Sequence, residues 1–342
     1  MSRKKSKKMK IVVIMGGTSS EREVSFLSGT NIVTALKENG HDVISIDTVL
    51  PIEQIDHPVE ATSQQINDGE KNLIYLLTHP QIQSADFIFN ALHGGSGENG
   101  VVQGILQTLG YSFNGSSAEG CAIAMDKIIS KMIFEKNGIP TPEWLYFERN
   151  DGLNYQKIIN TILQKFSFPL VIKPGHEGST VGLTIVQKEA QIRSAIDKAL
   201  KYNSVFLVEE YIDGRELTVS VLGNQALPVV EIRPKHGIYD YECKYTNGMS
   251  EYEVPANLDP SLAESIQKTT FEAFNLLRCS GYGRMDLRLS ADNKPFFLEM
   301  NTLPGMTKTS LVPKAAKVAG WNFGSLLEEI IRLGLNNQVS SK

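Results

Sequence analysis

Two hydrophobic rhythms alternate along the first third of the chain. "KIVVIMGG" is a continuous apolar run closed by glycines, as a strand covered on both faces requires. "SSEREVSFLSGTNIVTALKENG" then carries an apolar stripe at helical spacing, with Ser19 or Ser20 as N-cap, glutamates in the first turn and Gly40 as the stop. "HDVISID", "NLIYLL" and "ADFIFNAL" read as three further strands, the last running into "HGGSGENG" and a helix "VVQGILQTLG". Such alternation implies a parallel sheet, and this first unit closes near residue 118.

From "CAIAMDKIISKMIFEKNG" the pattern changes to a long helix, a proline-marked break at "IPTPEW" and another helix. "FPLVIKPGHEGSTVGLTIV" reads as two strands around a glycine-rich loop. The strands "VFLVEEYI", "RELTVSVLG" and "LPVVEI" follow, then the polar aromatic stretch "GIYDYECKYTNG" and a helix from about 260 to 278. Two more strands, "GRMDLRLS" and "PFFLEMN", precede a final helix over roughly 322 to 333. The fold class is α/β with an α+β second part.

Composition narrows the function. A chain of 342 residues with 41% hydrophobic content can build more than one core. Its 38 acids against 34 bases argue against a dedicated nucleic-acid or anionic-membrane binder and favour a small partner. The basic run at residues 2–10 has no apolar stretch behind it to make a signal or a span, so residues 1–9 read as a basic disordered tail. Cys121, Cys243 and Cys279 are widely spaced and form no CxxC pair, which points to neither zinc nor disulfides and places the chain in the cytoplasm.

Candidate chemistry gathers at strand ends. If "GRMDLRLS" and "PFFLEMN" form a hairpin about "ADNK", Asp286 faces Glu299, and Glu299 and Asn301 point to one side. Three oxygen ligands then suit a magnesium-type cation, against the alternative of solvated edge acids. An acid inside "FFLEM" needs a partner, because a lone buried charge is costly. Lys173 leads into "PGHEGSTVG", whose glycines let backbone amides approach an anion; an exposed hairpin turn is the alternative. The loop is neither a P-loop nor a dinucleotide fingerprint. Glu209 and Glu210 end an apolar strand before Ile212 and Glu216, an arrangement that suits a nucleotide site or a plain acidic strand exit. Glu21 sits at a helix start, where simple capping competes with a functional role. His93 ends a parallel strand, the end at which open α/β sheets bind ligands.

Seven stretches, "IMGGTSSEREVSFLSG", "LHGGSGENGVVQGILQTLG", "AMDKIISK", "VIKPGHEGSTVG", "YDYECKYTNG", "GRMDLRL" and "LEMNTLPGMTKTSLVP", resemble in order the signatures of D-alanine–D-alanine ligases of the ATP-grasp superfamily, over about residues 10 to 333. The resemblance implies an N-terminal parallel α/β substrate domain (10–118) followed by a two-lobed ATP-grasp fold, with a central lobe (119–212) and a C-terminal lobe (213–342). It implies ATP-dependent joining of two D-alanines through an acyl phosphate for peptidoglycan precursors, with two magnesium or manganese ions and a homodimer as the assembly. Asp286, Glu299 and Asn301 would hold the metal, Lys127 and Lys173 the phosphates, and Glu209, Ile212 and Glu216 the adenine and ribose. Glu21, with His93 nearby, would bind the first ammonium, Arg284 and the Gly305 amide the oxyanion, and Ser310 with the Leu311 amide the second carboxylate. Ser179 and Tyr245 would link to Glu21 across the closed site, and Lys244 would reach the phosphate from a water-excluding lid. Tyr245 accompanies dipeptide rather than ester formation in that family. Thr180, Asn99 and Thr309 depart from its usual residues, and Thr309 adjoins the acceptor site. A ligase with another acceptor, such as D-serine, and a silent nucleotide-binding module are the competing readings.

Overall fold

The computed structural model describes residues 7–52, 60–149, 153–178, 180–235 and 248–339. The first unit contains β1 (Lys10–Met15), α1 (Arg22–Glu38), β2 (Asp42–Asp47), α2 (Ser63–Leu77), α3 (Pro80–Gln83), β3 (Phe87–Asn90) and α4 (Val101–Thr108). Its strands form a parallel sheet in the order β2-β1-β3. Every residue from Ile11 to Met15 is buried, as the unbroken apolar run requires.

"NLIYLL" is not a strand: it is the last part of α2. Thr62 opens that helix with a capping box to Gln65, and Gly69, Leu73, Leu76 and Leu77 are buried at spacings of three and four. Ile74 and Tyr75, 49% and 61% exposed, fall on the outer face, which a strand buried on both sides could not allow.

The long helix expected after residue 118 is two helices, α5 (Ala118–Met125) and α6 (Lys127–Lys136). Asp126 breaks them: its backbone is extended, and its carboxylate accepts from the Ile128 and Ile129 amides to start α6 afresh. A strand absent from the sequence reading, β4 (Trp144–Glu148), precedes α7 (Tyr155–Lys165), β5 (Leu170–Pro174), β6 (Thr184–Val186), α8 (Ile192–Ala199) and β7 (Val205–Glu210). These strands form an antiparallel sheet ordered β4-β7-β5-β6, backed by the buried faces of α7 and α8.

The last part holds β8 (Gly214–Leu222), β9 (Gln225–Ala226), β10 (Val230–Pro234), β11 (Ser250–Glu253), α9 (Pro260–Leu276), β12 (Tyr282–Ser290) and β13 (Pro295–Asn301). Among the described residues the sheet order is β11-β10-β8-β12-β13, with β9 on β8. Two closing helices follow, α10 (Leu311–Val318), absent from the sequence reading, and α11 (Phe323–Val339). Helix α9 packs on the sheet through Ile266, Ala273 and Phe274. Helices α10 and α11 do something else: Val312, Ala315, Leu326, Leu327, Ile330 and Ile331 share one core with Ile11, Val13 and Met15 of β1 and with Ile32 and Leu36 of α1. The N-terminal sheet is therefore completed by the C-terminal end of the chain.

Candidate active site

Strands β12 and β13 pair in the register the sequence requires, Asp286 opposite Glu299 and Arg284 opposite Asn301. The register then slips, so that Leu287 meets Phe297 and Leu298 is the extra residue of a bulge. Strict alternation would put Leu298 and Glu299 on opposite faces; the bulge lets both line one cavity. Asp286 accepts from Arg284 Nε and Nη2 at 2.7 Å each, from Asn301 Nδ2 at 3.0 Å, and from Thr218 Oγ1, its partner across β8, at 2.9 Å.

The cavity lies between the two antiparallel sheets and, counted with its opening to solvent, holds about 980 Å³. Its lining combines apolar Val171, Val181, Leu183, Ile185, Ile212 and Leu298 with charged Lys127, Lys173, Asp286 and Glu299. Lys127 Nζ lies 3.0 Å from Glu299 Oε2 and donates to the Glu177 carbonyl at 2.6 Å, while its amide donates to the Gly175 carbonyl. The start of the glycine-rich loop is thereby fastened to the first turn of α6. Ile212 offers its carbonyl to Arg288 Nε at 3.2 Å, and Glu216, directly across from Arg288, lies 3.2 Å from its Nη1.

Glu209 lines this cavity, but its carboxylate is held between Lys173 at 2.7 Å and Lys131 at 2.9 Å. Burial works against both signs of charge, pushing the Glu209 carboxyl up and the Lys131 ammonium down. Two ammoniums flank the one carboxylate, so they prevail there and hold Glu209 at about 2. Lys131 shares that carboxylate with Lys173, so burial prevails and its ammonium stays below the ordinary lysine range.

A second cavity, counted at about 730 Å³ with its opening to solvent, lies on the same face of β12 and β13, further toward the start of β12 and the end of β13, and is lined by Glu21, His93, Glu98, Arg284, Asn301, Gly305, Ser310 and Leu311. Glu21 occupies the N-cap position of α1, yet its side chain makes no capping bond. Its carboxylate is turned toward the His93 loop instead, close enough that a Cβ on Gly94 would stand 2.7 Å from Oε2. Ser310 is the N-cap residue of α10 and its side chain also makes no capping bond there; Oγ accepts the Thr307 amide at 3.0 Å and lies 2.8 Å from Thr307 Oγ1. Gly305 faces Ser310 closely, its absent Cβ position being 3.3 Å from Oγ. The two cavities meet at the Arg284–Asp286–Asn301 cluster, so a group bound in one can reach a group bound in the other.

The family models for "D-ala D-ala ligase N-terminus" and "D-ala D-ala ligase C-terminus" match residues 10–116 and 133–332. The chain belongs to the D-alanine–D-alanine ligase family. It is 38% identical to the D-alanine–D-alanine ligase of Synechococcus sp. (strain JA-3-3Ab), with 98% of this chain and 96% of the relative covered. The Bacillus anthracis D-alanine–D-alanine ligase complexed with ATP superposes with a TM-score of 0.77 at 32% identity, covering 98% of this chain and all of that one. The VanG D-Ala:D-Ser ligase of Enterococcus faecalis superposes equally well, TM-score 0.77 over 96% of this chain and all of that one, at a lower 28% identity. The ATP-grasp architecture expected from the sequence is the one observed.

For a ligase of this family, the expected site residues fall into the two cavities just described. Ser179, Lys244 and Tyr245, with most of "GIYDYECKYTNG", lie outside the described residues. Lys131, Thr218, Arg288 and Ser28 escaped the sequence reading. Lys131 stands four residues after Lys127, so "DKIISKM" places two lysines on one helix face. Arg288 follows Asp286 by two on a strand, and Ser28 follows Glu21 by two helical turns.

The metal ligands inferred from sequence fit a hard divalent cation. Two opposed carboxylates and an amide converge, and Lys127 and Arg284 balance the negative charge. Among the described residues no cluster of three or more His, Cys, Asp or Glu could hold a metal, so phosphate and water oxygens would complete the shell.

Proposed function

We propose that the chain joins two D-alanines to D-alanyl-D-alanine at the expense of ATP, with the nucleotide between the antiparallel sheets and the amino acids in the second cavity. The meeting of the two cavities at Arg284, Asp286 and Asn301 carries this reading, because it brings a terminal phosphate and a carboxylate to one point. The adenine lies against the apolar lining near Ile212 and Glu216, and Lys127 and Lys173 hold phosphate oxygens. Glu209 serves by fixing Lys173. Divalent magnesium or manganese, held by Asp286, Glu299 and Asn301, neutralises charge on the phosphates when bound.

Glu21 and His93 receive the ammonium of the first D-alanine. Its carboxylate oxygen attacks the γ-phosphorus, and the bond to the ADP oxygen breaks. The second D-alanine is held by Ser310 and the Leu311 amide; its ammonium gives one proton to water, the free amine attacks the acyl carbon, and the second proton passes to the departing phosphate oxygen. Arg284 and the Gly305 amide take the charge that develops on oxygen, and orthophosphate departs with the acyl C–O bond. Ser179, Lys244 and Tyr245 belong to the closing of this site and the exclusion of water.

The protein acts in the cytoplasm on small molecules and as a homodimer, with neither nucleic acid nor membrane as partner; no helix among the described residues is long and apolar enough to cross a membrane. The product serves peptidoglycan precursor synthesis. Incubation with ATP, magnesium and D-alanine, D-serine or D-lactate, with phosphate release and product mass followed, tests the reading. D-alanyl-D-alanine is expected as the main product, and a chelator is expected to stop phosphate release. Failure to form the dipeptide overturns the reading.

A further inference from the structure

Behind His93, in the wall of the second cavity, lies a side chain with no assigned role. Ser28, 1% exposed on α1, has its Oγ 2.9 Å from His93 Nε2 and 3.2 Å from the backbone nitrogen of Met306, 278 residues away. We propose that Ser28 is a positioning residue for the ligation, its hydroxyl fixing the tautomer of His93 and tying the Gly305–Met306 turn to the amino-acid site of the first domain. This rests on the roles given above to His93 and to the Gly305 amide.

The proton arrangement follows from the partners. A backbone N–H can only donate, so Oγ accepts from Met306 and its own proton is left for His93. With that proton directed at Nε2, the ring nitrogen is the acceptor and the ring proton lies on Nδ1, where Glu98 Oε1, 3.3 Å away, is an acceptor for it. Ser25, three residues earlier, shows the contrast. It accepts from the Gly16 amide and donates to the Ala91 carbonyl, both within the first unit. Ser28 alone of this pair reaches across to the C-terminal part of the chain.

His93 is held at both ends. Its carbonyl accepts from Ser19 Oγ, which also receives the Glu21 amide at 3.1 Å, so Glu21 and His93 share one support. Its ring is held by Ser28 and Glu98. On the far side, residues 305–310 are bound internally by Ser310 and to the first domain by Ser28. Loss of the Ser28 hydroxyl leaves the Met306 amide and His93 Nε2 without this partner, and it separates the oxyanion turn from the ammonium site.

The test uses the full-length enzyme with Ser28→Ala and Ser28→Thr, together with 15N-histidine spectra of the unmutated protein assigned through His93→Gln. The Nδ1–H tautomer is expected at His93. Ser28→Ala is expected to lower kcat at least about 10-fold with KM for ATP within about twofold, since only the alignment of reacting groups is lost. Ser28→Thr, which keeps a hydroxyl, is expected to recover most of the loss. An Nε2–H tautomer in the unmutated protein, an unchanged kcat in Ser28→Ala, or a KM for ATP that rises in step with the fall in kcat overturns the proposal. Should Ser28→Ala fail to fold, the tautomer and the kcat of Ser28→Thr decide. The tautomer is read without turnover, so absence of dipeptide synthesis by the unmutated protein would refute the functional reading and not this one.

Discussion

Lys173 on β5 and Glu209 on β7 occupy diagonal positions of neighbouring strands, and Nζ and Oε2 stand 2.7 Å apart. With Lys131 2.9 Å from the other oxygen, the carboxylate is clamped between two ammoniums and holds Lys173 at the wall of the first cavity.

Glu209→Gln leaves two buried ammoniums around a neutral amide. The expected loss is about 3–5 kcal/mol of unfolding free energy, the usual consequence of removing one partner from a buried ion pair, together with a higher KM for ATP. Urea unfolding measures the first. The double variant Glu209→Gln/Lys131→Met should recover part of the stability; no recovery would show that the Lys131 charge is not what the carboxylate compensates.

Arg284→Ala removes a guanidinium that faces the second cavity and braces Asp286 through two hydrogen bonds. A fall in kcat equivalent to about 3 kcal/mol is expected, with a much smaller change in KM for ATP. Steady-state kinetics with varied ATP decide this, and a kcat near that of the unmutated enzyme would remove Arg284 from the chemical step.

Glu231 receives Arg215 through two hydrogen bonds and Arg233 through a third, and this pairing outweighs burial and holds its carboxyl at about 2, below the ordinary 4.5. A carboxyl depressed in the folded state stabilises it above the unfolded value, and that gain disappears as pH falls through the folded value. The melting temperature of Glu231→Gln should lie below that of the unmutated protein at pH 7, and the gap should close between about pH 4.5 and pH 2. A gap that stays constant across that range would contradict the assignment.

Gly120 on α5 presses against the turn before β12: a Cβ there would stand 2.4 Å from the Arg278 carbonyl oxygen, a backbone atom with no rotamer to escape into. Gly120→Ala is expected to cost about 1–3 kcal/mol through overpacking, although alanine is the better helix former. Thermal denaturation checks it, and a raised midpoint would mean that α5 moves freely relative to that turn.

The hairpin that sets Asp286 opposite Glu299 was legible because two alternating strands and a four-residue turn leave one register. The bulge at Leu298 was not, since nothing local distinguishes it from regular pairing. "NLIYLL" misled because five consecutive apolar residues carry no period; the capping box ten residues earlier at Thr62 was the stronger signal. Helix α10 was hidden behind the reading of "SLVP" as substrate contacts, although the same residues start a helix. The role of Glu209 could not be seen either: its two lysines lie 36 and 78 residues away in sequence, and only the sheet and α6 bring them together.

The shared core of β1, α1, α10 and α11 bears on how the protein is made. A ribosome delivers the parallel sheet first and its two covering helices α10 and α11 only after both antiparallel sheets have been made. Until then the side of β1 toward Val312, Leu326 and Ile330 lacks its partners, so the nascent N-terminal segment should be a chaperone client and the finished chain should not tolerate loss of its last thirty or so residues. The cavity at Glu21 would then take its final shape only after the turn at Ser310 had left the exit tunnel.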